Sequence, residues 1–503
     1  MAGLNPMFLV CMIAALNCAS VGYDTSMMSS LNISDTFKAR FGVDSNIKGL
    51  LTAVQNLGSI VGSLFAGSIV DKWGRKGGIL TSSCIVLIAT ILHSTSTTRG
   101  QFFTARIVFG FAKAIDIASV PTYLVEMSPP KYRGFVSGLY WTCWLAGAII
   151  SAAVGYGARL VDGDWSWRIV CICMAAPALS CILSLFLVPE SPRWLMSRGR
   201  EPEALEVLTK FHGRGDETHP LVVAEFRDIK ETLAFEKENS FPTLYAWWKA
   251  FLSDKANIRR GFILLTLGMF EQTVGSNIIT FYLDDVLSLA GLTSESTKFA
   301  INLSQNCVAF VIAFIGICLV DKVGRVPMLI GGTLWSGAVL ACMAGLTATA
   351  IDSDNAGGKN AIIAMVYIFQ VGYAISWTPL SFSYCAEMLN FTIRAKGMGF
   401  YTIFDSLVGF FCQYVIPIGL DGIGWRFYII GVVWNIFAAI VIYFTYVETK
   451  GLSLEQIDNR LRGIPVERID IIDASEPGTE GELAKSVSEV AKTPDTKTSE
   501  VQM

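Results

Sequence analysis

The chain has 503 residues, of which 52% are hydrophobic and only 16% charged, with a formal net charge of −3 and a mean hydropathy of +0.49. A soluble globule spreads about 25% charged residues over its surface; here the charges gather between long apolar runs, which excludes an ordinary water-soluble domain. Three histidines without metal-ligand spacing, no glycine-rich phosphate loop and no nucleophile motif leave no basis for an enzyme, a metal centre, a cofactor or a nucleic-acid partner.

Apolar runs near the length of about 20 residues that crosses a bilayer begin near Met7, Gly49, Gly78, Phe102, Phe135 and Ile169, and again near Gly261, Ala300, Met328, Ala361, Gly397 and Phe427. They predict an all-α membrane protein of twelve transmembrane helices in two six-helix halves, residues 1–189 and 258–450. The first run carries an acid and no small-residue cleavage site, so it reads as a retained span and not a signal peptide. Lys72, Arg75 and Lys76, then Lys131 and Arg133, Lys322 and Arg325, and Arg394 and Lys396 crowd the even-to-odd connections. The excess of basic residues on the cytosolic side then puts both termini in the cytosol. On that topology Asn32-Ile33-Ser34 lies in the first external connection as a glycosylation candidate, whereas Asn390-Phe391-Thr392 lies in a cytosolic turn.

Residues 190–257 form the long polar interior segment, with helical patterning from Glu201 to Phe211 and from Val223 to Phe235, and are expected to make a cytosolic linker of short amphipathic helices. Residues 451–503 form a cytosolic tail; from about Arg462 it is too rich in Glu, Lys, Ser and Thr to bury a core and is expected to be largely disordered. All twelve cysteines fall in or beside apolar runs, where a free thiol acts as a small hydrophobe, and no disulfide framework is expected.

A charged signature occurs twice. Asp71-Lys72-Trp73-Gly74-Arg75, Glu126, Arg133 and Glu190 return as Asp321-Lys322-Val323-Gly324-Arg325, Glu387, Arg394 and Glu448, at offsets of 250 to 261 residues. One half of the chain duplicates the other, the layout of a two-fold repeat transporter. Opposite charges at the cytosolic ends of both halves suit ion pairs that form when the halves close there and break when they open. Topological anchoring alone would explain the Lys and Arg but not the repeated Glu.

Gly22-Tyr23-Asp24, Asp71-x-x-Gly74-Arg75, Arg106, Pro121-x-Tyr123-x-x-Glu126, the run Pro189 to Leu195, Glu271-Gln272-x-x-Gly275-x-Asn277 and Glu448-Thr449-Lys450-Gly451 resemble the sugar porter family of the major facilitator superfamily, over about residues 7 to 460. Ile393 to Gly397, Gln413-Tyr414-Val415, the run Leu420 to Trp425, and Val447 resemble its fungal lactose permease and cellodextrin transporter branch. The resemblance implies that the repeated charges form a cytosolic gate and that the partners are a small-molecule substrate, a proton and the lipid bilayer. The transport unit is expected to be a monomer, most naturally in the plasma membrane.

An ionisable group within a span costs about 2.5–3.5 kcal/mol, so Asp24, Arg106, Lys113, Asp116, Glu271 and Asp405 each need a partner or a wet cavity. Asp24 facing Arg106 would change protonation with solvent access, which makes the two a proton-coupling pair; proton-driven members of the resembling family keep Asp at this position. The alternative is a structural salt bridge between spans one and four. By motif offset Gln272 and Asn277 retain family sugar contacts, while Trp141, Glu271, Ala309, Phe382 and Asp405 replace family residues. Trp141, Trp377 and Phe382 are candidates to stack on a sugar ring; Glu271 and Asp405 either touch substrate or balance Lys113 or Arg106.

These features predict a proton-coupled importer of a sugar, a disaccharide or other glycoside or else a hexose. Alternatives are a transporter of a polyol, a quinate-like acid or an exported metabolite, and a non-transporting nutrient sensor on the same fold.

Overall fold

The computed structural model describes residues 6–129, 133–213, 215–238, 249, 251–352, 356–389, 394–452 and 454–462; the tail beyond falls outside the described residues. Among them every regular element is a helix. The first half holds α1 (Pro6–Ile33), α2 (Asp35–Phe41), α3 (Ser45–Ser94), α4 (Arg99–Met127), α5 (Arg133–Ala158), α6 (Trp165–Cys173) and α7 (Ala175–Leu185). Below it lie α8 (Pro192–Ser197), α9 (Glu201–Phe211) and α10 (Pro220–Glu238). The second half holds α11 (Lys255–Thr273), α12 (Ser276–Phe281), α13 (Leu283–Leu289), α14 (Glu295–Val323), α15 (Arg325–Asp352), α16 (Ala356–Met388), α17 (Arg394–Ile423) and α18 (Arg426–Thr445), followed by α19 (Leu454–Leu461).

Eleven segments among the described residues are long and apolar enough to cross a bilayer. The longest, α3, has 50 residues, roughly 75 Å of straight helix at 1.5 Å per residue, far more than one hydrocarbon core. It doubles back at Gly74, whose φ of 83° is open to glycine and strained for other residues. The bend makes α3 two spans, so twelve crossings result, as expected from the apolar runs. The outer surface is a lipid face: Phe186 is 76% and Phe444 75% exposed, which an aqueous surface does not sustain.

The halves meet where α3 packs on α17 and α5 on α14. The hydrogen bonds described between them run from mid-membrane to the end opposite the duplicated charges: Asn56 to Gln413 at 2.9 Å, Ser29 to Asn302 at 3.3 Å, Asn32 to the Phe281 carbonyl at 3.0 Å and Ser45 to Asp421 at 2.9 Å. The polar segment docks on the first half, with Trp194 Nε1 and Arg198 Nη2 donating to the Asp71 carbonyl at 2.8 and 2.7 Å.

One expectation fails at this level. Asn32 is not in a connection: it sits in the last turn of α1, 1% exposed, its amide used to hold Phe281. The loop begins later because the apolar run continues through Ile33, and a glycan on Asn32 is incompatible with this packing.

Candidate functional site

The duplicated charges fold into two copies of one arrangement. In the first half Arg75 donates to Glu126 through Nε at 2.9 Å and Nη2 at 2.8 Å, and Ser191 also donates to Glu126. In the second, Arg325 donates to Glu387 through Nε at 3.1 Å and Nη2 at 2.9 Å, with Thr449 in the place of Ser191 at 2.5 Å. Glu190 accepts the backbone N–H groups of Arg75 and Lys76 at 3.1 Å; Glu448 accepts those of Arg325 and Val326 at 3.0 Å. Each Glu thereby caps the helix that follows a positive-φ glycine, Gly74 or Gly324, where carboxylates are favoured by unpaired N–H groups and the helix dipole. Burial pushes the Glu190 carboxyl up from its ordinary value, against the opposing N–H donors of Ser191, Lys76 and Arg75. Asp71 stands 4.0 Å from Arg75 and is largely exposed. The side chains of Arg133, Asp321 and Arg394 lie outside the described residues.

The pairs described at this end join groups of the same half, because each Glu lies on the span or connection next to its own Arg.

The sealed pair is made by a helix crossing. A side chain at Gly110 of α4 would collide with the Gln55 carbonyl of α3, so only glycine permits this approach. One turn earlier, Arg106 is thereby brought against α3. Its Nε donates to the Leu51 carbonyl at 3.2 Å and Nη2 to Gln55 Oε1, while Nη1 donates to Asp24 Oδ1 at 2.6 Å. Both side chains are 0% exposed.

In the second half, α11 breaks at Gly275, and Asn277 on α12 turns back to donate to the Gln272 carbonyl at 2.8 Å and to Oε1 at 3.0 Å. Gln272 passes its own N–H to Asp405 Oδ1 at 2.8 Å, and Tyr401 donates to Glu271 Oε2 at 2.5 Å. Both N–H groups of Asn277 and one of Gln272 are thus used inside the wall, which also presents carboxylate acceptors. Lys113 of α4 lies within electrostatic range of Asp405, Asp24, Arg106 and Glu271.

The aromatic candidates divide. Trp141 and Phe382 stack on each other across the halves, centroids 4.2 Å apart and planes at 15°. Trp377 is a correction: it is 0% exposed and donates to Thr333 at 3.3 Å inside the second half, because it lies five residues before Phe382 and faces the other side of α16.

Two polar groupings escaped sequence reasoning. A small cavity between the halves is lined by Thr25, Asn302, Gln305, Asn306 and Gln370, amides whose i, i+3, i+4 spacing within an apolar run was the available signal. At the end opposite the duplicated charges, Lys48 meets Asp285 at 2.6 Å and Asp284 at 3.5 Å, Lys38 reaches Asp284 at 3.4 Å, and Lys298 meets it at 2.6 Å. Burial works to raise the Asp284 carboxyl, but Lys48, Lys38 and Lys298 hold it below the usual carboxylate range. Burial pushes neighbouring Asp285 up, and Lys48 does not fully offset this.

Two duplicated helical halves, a sealed acid–arginine pair and polar walls facing across the seam define a multi-pass membrane transporter. The chain belongs to the Sugar (and other) transporter family, whose sequence model matches residues 10–461. Members of that family are transporters and not enzymes. The MFS glucose transporter mfs1 of Aspergillus flavus is 30% identical over 90% of this chain and 89% of its own length. The high-affinity glucose transporter of Kluyveromyces lactis is 28% identical over 90% and 84%. Among solved structures, the partially occluded inward-open form of the E. coli xylose transporter XylE superposes with a TM-score of 0.74 at 21% identity, covering 90% of this chain and all of that one.

Proposed function

We propose that this chain is a proton-coupled symporter that imports a sugar, a disaccharide or other glycoside or else a hexose, by alternating access. The observation that carries the coupling is the Asp24–Arg106 pair, sealed at 2.6 Å on helices that line the seam. A buried ion pair is retained at a large desolvation cost, and here one partner can take up a proton. Protonated Asp24 releases Arg106 to its neutral acceptors, and ionised Asp24 recaptures it, so the charge state selects which packing of α1 against α4 is stable. Moving one proton through about 100 mV supplies roughly 2.3 kcal/mol, enough for about a 50-fold gradient of a neutral cargo.

The cargo region joins the acceptor wall of Glu271 and Asp405 to the amides Asn302, Gln305, Asn306 and Gln370. Carboxylates and amides together match the hydroxyls of a sugar, which both donate and accept. The glucose transporters among the relatives support the class, and the resemblance to lactose permeases supports the longer cargo. A polyol offers the same hydroxyl chemistry and is the second reading; a quinate-like acid would face two carboxylates and is disfavoured. Gln272, Asn277 and the Trp141–Phe382 stack border this region and would rearrange as cargo enters.

The duplicated charges are taken as the cytosolic end, with both termini cytosolic, and the lysine–aspartate cluster as the external closure. The fastening described above is then that of an inward-facing form. Residues 190–257 are the linker and residues 451–503 the tail of a monomeric unit in the plasma membrane.

The test is uptake of radiolabelled glucose, lactose, cellobiose and a polyol by yeast lacking its own sugar transporters, with and without an uncoupler. Uncoupler-sensitive accumulation of one sugar is expected. Uphill uptake insensitive to the uncoupler removes symport, and surface expression without uptake of any compound points to a nutrient sensor.

A further inference from the structure

Several buried oxygens have no protein partner, and three of them, Asp24 Oδ2, Ser20 Oγ and Asp116 Oδ2, belong to one face of the first half. Buried polar atoms are almost always hydrogen-bonded, so orphans on one face indicate something other than packing. Ser20 precedes Asp24 by one turn of α1. Ser20 and Asp116 border the same cavity of about 10 Å³, together with Asn17, Ser83 and Lys113. That is room for a single water, and the lining offers it the two to four polar partners a buried water takes.

Position along the membrane gives the arrangement a direction. Asp116 lies ten residues beyond Arg106 on α4, about 15 Å further along the axis, toward the end that holds Glu126. Asp24 is 0% exposed, so a proton reaching or leaving it must cross protein. Asp116 is itself 5% exposed, with Oδ1 accepting from Ser82 at 3.2 Å and Oδ2 left over. The other titratable groups facing it are Cys18 of α1, Tyr140 of α5 and Cys181 of α7. Thiols and a phenol are weaker acids than a carboxyl, and Lys113 on the cavity wall is a cation.

We propose that Ser20, one water in this cavity and Asp116 form a relay that carries the proton between Asp24 and Asp116, the first leg of a path toward the end of the first half bearing Arg75 and Glu126. Asp24 Oδ2 and Ser20 Oγ are not hydrogen-bonded to each other in this form, so the first step requires protonated Asp24, released from Arg106, to turn its carboxyl one turn along α1 to Ser20. Its O–H bond then breaks as the proton passes to Ser20. The Ser20 hydroxyl gives its own proton to the water, and the water gives one to the Asp116 carboxylate. Each intermediate oxygen gains one O–H bond and loses another, Asp24 is left as the carboxylate paired with Arg106, and Asp116 holds the proton. The relay rests on the reading of Asp24 as the proton carrier.

The test needs no cargo. Full-length protein in lipid vesicles is jumped from pH 5 to pH 9 while carboxyl C=O bands are followed by time-resolved infrared spectroscopy, and the Asp24 band is assigned as the one absent from Asp24→Asn. Asp116→Asn and Ser20→Ala are each expected to slow the decay of that band at least tenfold without changing its final amplitude, and Asp116→Glu to restore the rate. Should Asp116→Asn fail to fold, Ser20→Ala removes only a hydroxyl and decides alone. Unchanged decay in the relay variants overturns the relay and leaves Asp24 as the carrier. The absence of any Asp24-dependent band between these pH values overturns the coupling reading and the relay with it.

Discussion

The side chain of Lys48 is 9% exposed and its Nζ lies 2.6 Å from Asp285 Oδ1, a contact that ties the start of α3 in one half to α13 in the other. Asp284 collects Lys38, Lys48 and Lys298 beside it. Replacing Lys48 by Met keeps the packing length and leaves two carboxylates with less positive charge. Closure at this end should weaken by about 1–3 kcal/mol, roughly 5- to 150-fold in the closed-to-open ratio. Backbone hydrogen exchange across residues 31–41 and 281–289 should rise at least fivefold, and unchanged exchange there removes the cluster as a closure.

The same cluster has a pH signature whose sign follows from Asp284. Its carboxyl is held below the ordinary value, so its contribution to closure is complete above about pH 4 and is lost as pH falls through the lowered value. Asp284→Asn should therefore increase exchange in those segments at pH 5 to 8, and variant and wild type should converge only as the medium falls through the lowered carboxyl value. Asp285, which burial pushes up, has the opposite sign: its charge strains the closed form as pH rises. Asp285→Asn should flatten the pH dependence of exchange as pH rises above the ordinary carboxylate value.

Coupling is tested at Asp24. Arg106 keeps the Leu51 carbonyl and Gln55 as acceptors when the carboxylate is removed, so Asp24→Asn should fold. It should exchange cargo down a gradient yet accumulate none against one. Accumulation in that variant that still collapses on adding an uncoupler excludes Asp24 as the carrier.

The twelve spans were legible because each is a separate apolar run, and the duplication because charged motifs repeat at a nearly constant offset. Asp24 and Arg106 were legible as a pair because two opposite charges in apolar runs must be neutralised somewhere. Two kinds of feature were not. Which face of a helix a residue occupies depends on tertiary packing, so Trp377 and Phe382, five residues apart, looked alike and proved to point in different directions. Partners from different halves are also invisible in one dimension: Asp284 and Asp285 end an apolar run like many loop acids, and only the fold brings Lys38 and Lys48 to them.

The duplicated bends should be equivalent in stability. Gly74 and Gly324 have φ of 83° and 106°, and a Cβ at either would meet the carboxylate of Glu190 or Glu448, which cannot retreat without giving up its backbone donors. Gly74→Ala and Gly324→Ala should each cost at least about 1–2 kcal/mol from the backbone alone. Thermal unfolding in detergent should show both losses, with part of the Gly74→Ala loss recovered on adding Glu190→Ala. Two variants as stable as wild type would show that the bends carry no strain.

Cargo preference is tested at Asp405 and Gln370, one from each wall of the proposed site. Asp405 takes the N–H of Gln272, which in turn takes that of Asn277, so its second oxygen is the acceptor left for cargo. Asp405→Asn restores a neutral amide while preserving shape. If Asp405 binds cargo, uptake should shift from glycosides toward simple hexoses; if it only balances Lys113, preference should hold while turnover falls. Gln370→Ala removes a donor and an acceptor from the amide cavity, leaving a cargo hydroxyl unpaired at about 1–3 kcal/mol, or roughly 5- to 150-fold in apparent affinity. Competition by unlabelled sugars against the best labelled one reads both effects. A profile unchanged in preference, affinity and rate for both variants moves the cargo away from these walls.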